Sequence, residues 1–146
     1  MEPTSEMVGA FWGLKLYITK FDIIRATKEG IAMNLKLTLD LLKEYTKVYS
    51  PMLMVGGSVK SDSWMQIFTD VYGVDIVKTS IDQETASIGT AALAFKALGL
   101  WIDYNPIDNI HKLYHRYTPF SEVCKYKKIQ ERFEAIVGYI SELSEE

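Results

Sequence analysis

The chain has 146 residues, of which 48% are hydrophobic and 24% are charged, and its formal net charge is −3 at pH 7. This length suits a single domain, 1–146, with a buried core, and the weak negative charge argues against nucleic acid or an anionic membrane as a partner. The sequence has no apolar run of the ~20 residues that span a bilayer, no basic-then-apolar leader, and a single cysteine, which excludes an internal disulfide. These features predict a cytoplasmic protein.

The first predicted elements are a loop or short strand over residues 9–21 and a long helix that begins near Asp22, a suitable N-cap residue. Polar residues trace one stripe of this helix: Arg25, Lys28, Glu29, Lys36, Asp40, Lys43 and Lys47. The remaining apolar arc is broad, which predicts that the helix is covered on more than one side. Gly30 lies mid-helix, where glycine costs about 1 kcal/mol relative to alanine, so we expect another backbone to approach it closely.

Two strands and two helices follow in alternation. The apolar run 51–55 predicts a strand that is buried on both faces. A helix then runs from about Asp62 to a stop at Gly73, with this apolar side: Trp64, Ile67, Phe68 and Val71. Residues 74–77 predict a second strand, with Asp75 on its polar side. Strands that alternate with helices are typical of a parallel pair with a right-handed crossover.

The rest of the chain predicts three helices. Residues 83–99 form a small-residue helix that ends at Gly99, and one of its faces is suited to close packing on a sheet: Ala86, Gly89 and Leu93. Residues 106–117 predict a short helix, and Pro119 is suited to open the last one. That helix carries an apolar stripe, which we interpret as a docking surface where two copies could also associate: Tyr126, Ile129, Phe133, Ile136 or Val137, Ile140 and Leu143.

The stretch Gly56-Gly57-Ser58 joins a predicted strand to a predicted helix. Glycines leave backbone N–H groups unhindered, and the helix adds the positive end of its dipole, so the turn is in principle an anion site. The spacing matches neither a P-loop nor a GxGxxG fingerprint. Taken alone, the spacing favours a plain turn, because glycines are common where a strand turns into a helix.

No metal site or catalytic nucleophile is predicted. His111 and His115 have i, i+4 spacing, but Lys112 stands where a zincin needs Glu. Cys124 is the only sulfur candidate for a third ligand, so packing or surface histidines are the favoured interpretation. A free cysteine is most often buried and inert, so an unreactive Cys124 is favoured over a nucleophile.

Three stretches together resemble the C-terminal part of the FGGY carbohydrate kinases. Residues 9–29 are similar to the family's second signature, with Lys28 in place of an apolar residue, which we interpret as a surface change. The segment "VGGSVKSDSWMQIFTDVYG" resembles the family's adenosine-binding segment, and "ETASIGTAALAFKALG" resembles the helix that follows. The first match depends on these residues: Gly9, Phe11, Gly13, Leu14, Asp22, Ile23, Ala26, Thr27 and Glu29.

The resemblance implies an α/β fold, a truncated lobe of the actin-like ATPase or ribonuclease H-like type, with a small sheet covered by helices. It also implies that the complete enzyme uses ATP and Mg²⁺ and transfers a phosphoryl group to a sugar hydroxyl. Gly56 and Gly57 would lie against the ribose and α-phosphate, and Ser58 would add a hydroxyl bond. Ser61 occupies the position from which relatives contact adenine. These four are the predicted nucleotide-binding residues.

The resemblance also implies missing parts. The N-terminal lobe, with the sugar pocket and the general base, and the first hairpin of the C-terminal lobe have no counterpart here, so no catalytic residue is predicted in this chain. We therefore expect a fragment that is inactive alone, with the sugar as a partner only when the missing lobe is present. The tail favours xylulokinase-like members of the family. The alternative is a non-catalytic interaction or oligomerisation module that retains the kinase-lobe fold.

Overall fold

A computed structural model describes residues 9–81, 84–110, 112–120 and 123–144. Helices and strands alternate over the first two-thirds of the chain, in the order that the sequence predicts. The elements are α1 (Lys20–Tyr45), β1 (Met52–Leu53), a 3₁₀ turn (Gly57–Lys60), α2 (Asp62–Tyr72), β2 (Ile76–Thr79), α3 (Thr85–Ala97), α4 (Pro106–Ile110), β3 (Leu113–Tyr117) and α5 (Val123–Ser144). Within the described ranges, no helix is long and apolar enough to cross a membrane.

Helix α1 begins earlier than predicted, at a capping box. Thr19 is the N-cap, and its hydroxyl accepts a bond from the Asp22 N–H at 3.3 Å, while the Asp22 carboxylate accepts from the Thr19 N–H at 2.9 Å. The prediction of Asp22 as the N-cap is therefore wrong by three residues. Thr19 and Asp22 are the two members of one capping box, and either residue type could serve as the N-cap. Residues 9–18 form loops and turns without a strand.

The sheet has the order β1-β2-β3 and is mixed. Strands β1 and β2 are parallel, with Met52 opposite Ile76, which confirms the predicted parallel pair. Strand β1 is shorter than predicted, and in the described part of the chain it pairs with β2 alone. Its predicted burial on both faces is wrong, since Leu53 is 53% exposed and Val55 is 42% exposed.

Strand β3 falls where the sequence predicts a helix. Helix α4 ends at Ile110, and Leu113–Tyr117 then pairs antiparallel with β2, with Ile76 opposite Tyr117. The prediction of a helix is thus correct for the first half of residues 106–117 and wrong for the second. Tyrosine is enriched in strands, and the pairing with β2 satisfies the backbone groups of this segment that face β2.

Helix α2 forms the centre of the core. It lies between α1 and α5 and against β2 and β3, and its residues from Ile67 to Tyr72 are all buried, together with Met65. Gly73 ends the helix in the left-handed conformation, with φ 67°. The predicted bounds of this helix, from about Asp62 to Gly73, are confirmed.

The predicted coverage of α1 and α3 is not found among the described residues. On α1 only Ala32, Met33 and Leu39 are buried, and a Cβ built on Gly30 meets nothing within 4 Å. These α1 side chains stay exposed: Phe21, Ile24, Ile31, Leu35, Leu41 and Leu42. On α3 the buried residue is Ala92, whereas Leu93 is 61% exposed. Both predictions of close packing are therefore wrong for this chain.

The first half of the predicted apolar stripe of α5 packs against the core. Tyr126 is 4% exposed, and Ile129 and Phe133 pack against the core. Gln130, which the stripe does not include, is also buried and donates a bond from Nε2 to the Met33 carbonyl at 3.3 Å. The described part of α5 thus packs against α1 and α2 through a mixed apolar and polar face.

Candidate functional site

The glycine turn lies between β1 and α2, as predicted, with a short 3₁₀ turn between them. Gly56 has φ 103° and ψ −169°, a conformation that is almost restricted to glycine. Its carbonyl accepts a bond from the Val59 N–H at 3.3 Å, and the Ser58 carbonyl accepts from the Ser61 N–H at 3.1 Å. Val59 is 1% exposed, so the turn is anchored in the core while its glycines face outward.

Open space lies beside the two glycines. A Cβ built on Gly56 or on Gly57 meets nothing within 4 Å, and Gly57 is exposed. The first N–H groups of a helix have no partner within that helix. The corner is therefore accessible to a ligand that contacts bare backbone.

A polar cluster of Asp62, Lys78 and Tyr117 fixes the start of α2 on the sheet. The Asp62 carboxylate accepts bonds from Lys78 Nζ at 2.8 Å and from the Tyr117 hydroxyl at 2.5 Å, and Lys78 Nζ lies 3.5 Å from the Val59 carbonyl. The bond from Lys78 is the main reason that the pKa of Asp62 is lowered, and the same bond raises the pKa of Lys78. A carboxylate in the first turn also suits the helix dipole.

Lys28 reaches the same helix terminus from α1. Its Nζ donates to Ser63 Oγ at 3.2 Å and to Ser61 Oγ at 3.5 Å, and the two serine oxygens are 3.0 Å apart. The ammonium also lies 5.8 Å from the centroid of the Trp64 ring. Lys28 is half-buried, so its interpretation as a simple surface change is wrong.

Two grooves flank this region. The larger, about 520 Å³, lies between α1 and α2 and is lined by Phe21, Ile24, Arg25, Lys28, Ser63, Gln66, Ile67, Asp70, Phe120 and Tyr126. The smaller, about 230 Å³, is lined by Val59, Lys60, Lys78, Thr79, Ser80 and Tyr114. Lys28 and Ser63 line the larger groove, and Val59 and Lys60 line the smaller one. The segment that follows the glycines therefore separates the two grooves.

The predicted site residues Gly56, Gly57, Ser58 and Ser61 lie in one continuous turn, and the hydroxyl of Ser61 bonds to Lys28. Sequence reasoning missed the cluster of Asp62, Lys78 and Tyr117, for which the one local signal was an acidic residue in the first turn of α2. Tyr117 reaches the other two residues because β3, which carries it, pairs with β2.

Of the two histidines, the structure describes His115. His115 lies on β3, where its ring packs edge-on against Tyr117 with centroids 4.5 Å apart. His111 and the side chain of Cys124 lie outside the described residues. Within the residues that the structure describes, no three His, Cys, Asp or Glu side chains are grouped so as to hold a metal ion.

Comparisons with known proteins agree with this architecture. The pattern of the FGGY family of carbohydrate kinases, C-terminal domain, matches residues 3–98. Glycerol kinase from Enterococcus casseliflavus is 34% identical over 116 residues, which are 79% of this chain and 23% of that protein.

Two solved structures from Lactobacillus acidophilus are similar over 90% of this chain and 27% of theirs: gluconate kinase, 29% identical with a TM-score of 0.75, and xylulose kinase, 28% identical with a TM-score of 0.72. The chain therefore spans about a quarter of the length of these relatives. Its fold is that of the C-terminal lobe of sugar kinases, an actin-like ATPase lobe. The chain belongs to the FGGY family of carbohydrate kinases and corresponds to that family's C-terminal domain.

Proposed function

We propose that the glycine turn binds the nucleotide of an ATP-dependent carbohydrate kinase. The observation that carries this proposal is the open backbone at Gly56 and Gly57, which lies at the start of α2 in a chain of this kinase family. Bare backbone at these positions lets the ribose and α-phosphate come within contact distance. The Ser58 hydroxyl is placed one residue further on, and Ser61 lies toward the nucleoside end of the ligand.

The chemistry of such a kinase consists mainly of positioning the phosphates and neutralising their charge. The phosphoryl group passes through a loose transition state, with Mg²⁺ supplying positive charge at the phosphates. In our proposal this chain holds the nucleotide in place, and the acceptor sugar and its general base belong to another part of the complete enzyme. An enzyme of this kind that draws on the ATP pool fits a cytoplasmic location.

The acceptor is a sugar or polyol hydroxyl. Structural similarity to xylulose kinase supports a xylulokinase-like acceptor, whereas sequence identity with glycerol kinase supports glycerol as the acceptor. We expect this chain alone to release no ADP in the presence of xylulose, gluconate or glycerol, because it supplies one side of the site. Acceptor-dependent ADP release by the isolated chain would contradict this division of roles.

An ATP titration followed by backbone amide NMR tests the placement. The amide resonances of Gly56 and Gly57 are expected to shift first as Mg²⁺-ATP is added. The resonance of Gly138, in the interior of α5, is an internal reference that should not move. Binding that shifts residues elsewhere and leaves both turn glycines unchanged would refute the proposed site.

A second candidate function, an interaction or oligomerisation module, is favoured by one observation. Large apolar side chains stay exposed on α1 and on the loop before it, among them Trp12 at 83% and Leu16 at 108% of their full exposure. Exposed apolar side chains concentrated in one part of the chain are typical of a site of association. Sedimentation velocity at high concentration tests it: a stable dimer supports the module, and a monomer contradicts it.

A further inference from the structure

Lys28 carries a positive charge that no carboxylate neutralises among the residues that the structure describes. The nearby ion pairs use other partners: Arg25 bonds to Glu29 at 2.8 Å, and Lys78 bonds to Asp62 at 2.8 Å. Lys28 is instead half-buried and donates to two neutral serine hydroxyls. Of the two lysines that reach the start of α2, one is neutralised and the other is not.

Two features of this arrangement oppose a positive charge at Lys28. The N-terminus of a helix carries partial positive charge and repels a nearby cation, and half-burial removes part of the hydration of an ammonium. An ammonium has three N–H donors, and Ser61 and Ser63 occupy two of them. One donor of Lys28 is therefore directed at neither serine.

The length of the turn decides which part of a ligand Lys28 can reach. The 3₁₀ turn Gly57–Lys60 separates Gly57 from Ser61, and a rise of about 2 Å per residue places Ser61 about 8 Å further along. In the proposed function the ribose and α-phosphate lie against the glycines, and the base lies toward Ser61. Lys28 bonds to Ser61 Oγ, so it lies on the side of the base.

We propose that Lys28 determines affinity for the nucleoside part of the bound nucleotide, by donating from Nζ to an acceptor atom of the base. This inference rests on the proposed function, which places the ribose and α-phosphate at the glycines and the base toward Ser61. A hydrogen bond from a charged donor is among the stronger ones in proteins. Its loss should lower the affinity for adenosine and for ATP by the same factor, since adenosine keeps the nucleoside and lacks the phosphates.

The variant Lys28→Met tests this with little change in shape. Methionine is unbranched and fills space similar to that of the lysine side chain without its charge. The matched control is Lys43→Met, which removes a charge from the same helix about 22 Å away along its axis. Dissociation constants for adenosine and for Mg²⁺-ATP are measured for the wild type and both variants by amide NMR titration.

Lys28→Met is expected to weaken both ligands about tenfold, while Lys43→Met binds both as the wild type does. The urea midpoint of Lys28→Met should equal or exceed that of the wild type, because the variant removes a cation from a helix N-terminus. A structural role for Lys28 would instead lower that midpoint. Unchanged affinity, or weakened ATP with unchanged adenosine, would overturn the inference, the second by placing Lys28 on a phosphate.

The location of the shifts separates this inference from the proposed function. If wild-type resonances of Gly56 and Gly57 respond to ATP but Lys28→Met binds equally well, the proposed function stands and the role of Lys28 fails. If the shifts map to Gln66 and Phe120, Lys28 acts in the larger groove and the inference fails. If the wild type binds neither adenosine nor ATP at millimolar ligand, both fail for this chain.

Discussion

The substitution Gly57→Ala separates what the glycine turn needs for folding from what it needs for binding. Gly57 is the first residue of the 3₁₀ turn, its φ is not positive, and an added Cβ meets nothing within 4 Å. Alanine at a position whose backbone it tolerates stabilises a protein by about 0.4–1 kcal/mol, chiefly by restricting the unfolded chain. We therefore expect the free energy of unfolding of Gly57→Ala to rise by that amount.

The same methyl group occupies the space through which a ligand would contact the backbone. If a phosphate or ribose lies against Gly57, the Cβ forces it away from the N–H, and the ATP dissociation constant should rise tenfold or more, about 1.4 kcal/mol. The two effects have opposite signs, so a general loss of structure cannot imitate them. Urea unfolding followed by tryptophan fluorescence gives the first value, and amide NMR titration with Mg²⁺-ATP gives the second.

Two further glycine variants complete the test. Gly56 has φ 103° and ψ −169°, so Gly56→Ala should cost about 1–3 kcal/mol of stability as backbone strain. Gly138→Ala is the matched control, since Gly138 lies inside α5 and its Cβ also meets nothing within 4 Å. It should stabilise by about 0.5–1 kcal/mol and leave ATP binding unchanged. A Gly57→Ala protein that binds ATP as tightly as the wild type would refute the reasoning.

Three other predictions concern stability. Asp70 is 7% exposed and accepts bonds at 2.9 Å from the Phe120 N–H and from Gln66 Nε2, so Asp70→Ala should cost about 1–3 kcal/mol in urea unfolding. Met65 is fully buried, and Met65→Ala should cost about 2–5 kcal/mol; a loss below about 0.5 kcal/mol, the range of surface substitutions, would contradict either assignment. The pKa of Asp62 is lowered, mainly by the bond from Lys78, so its contribution to stability is present above the ordinary value of about 3.9 and is lost as the pH falls through the lowered value. Asp62→Asn should therefore show a shallower decrease in stability at acid pH, and an unchanged acid limb would argue against the bond.

Local sequence signals predicted the elements that are set by short-range chemistry. The helical spacing of its apolar residues predicted α2, and Asp62 and Gly73 marked its two ends. The start of α1 was predicted three residues too late, because Thr19 and Asp22 form one capping box and both are suitable N-cap residues. The glycine turn was placed correctly, although its 3₁₀ segment was not foreseen, because a glycine pair does not specify how the chain enters the next helix.

Features that depend on pairing across the chain were not predictable from local patterns. The segment that becomes β3 has no clear period, and its pairing with β2 decides its conformation. The cluster of Asp62, Lys78 and Tyr117 depends on that same register, as it joins residues 55 positions apart. The contact of Lys28 with Ser61 and Ser63 likewise requires the packing of α1 on α2. The charged groups around the candidate site were therefore missed, whereas the position of the glycine turn was predicted.

The wrong predictions of burial share one property, which bears on function. Gly30 on α1, Leu93 on α3 and Leu53 on β1 lie on faces whose composition is that of covered surface, and each is open in this chain. Apolar periodicity indicates that a face is covered but does not identify what covers it. The chain spans about a quarter of its relatives, so in the kinase proposal other parts of the enzyme cover these faces, whereas in the module proposal a second copy does. A defined dimer that covers these faces is therefore the expectation of the module proposal, and sedimentation velocity of the isolated chain tests it.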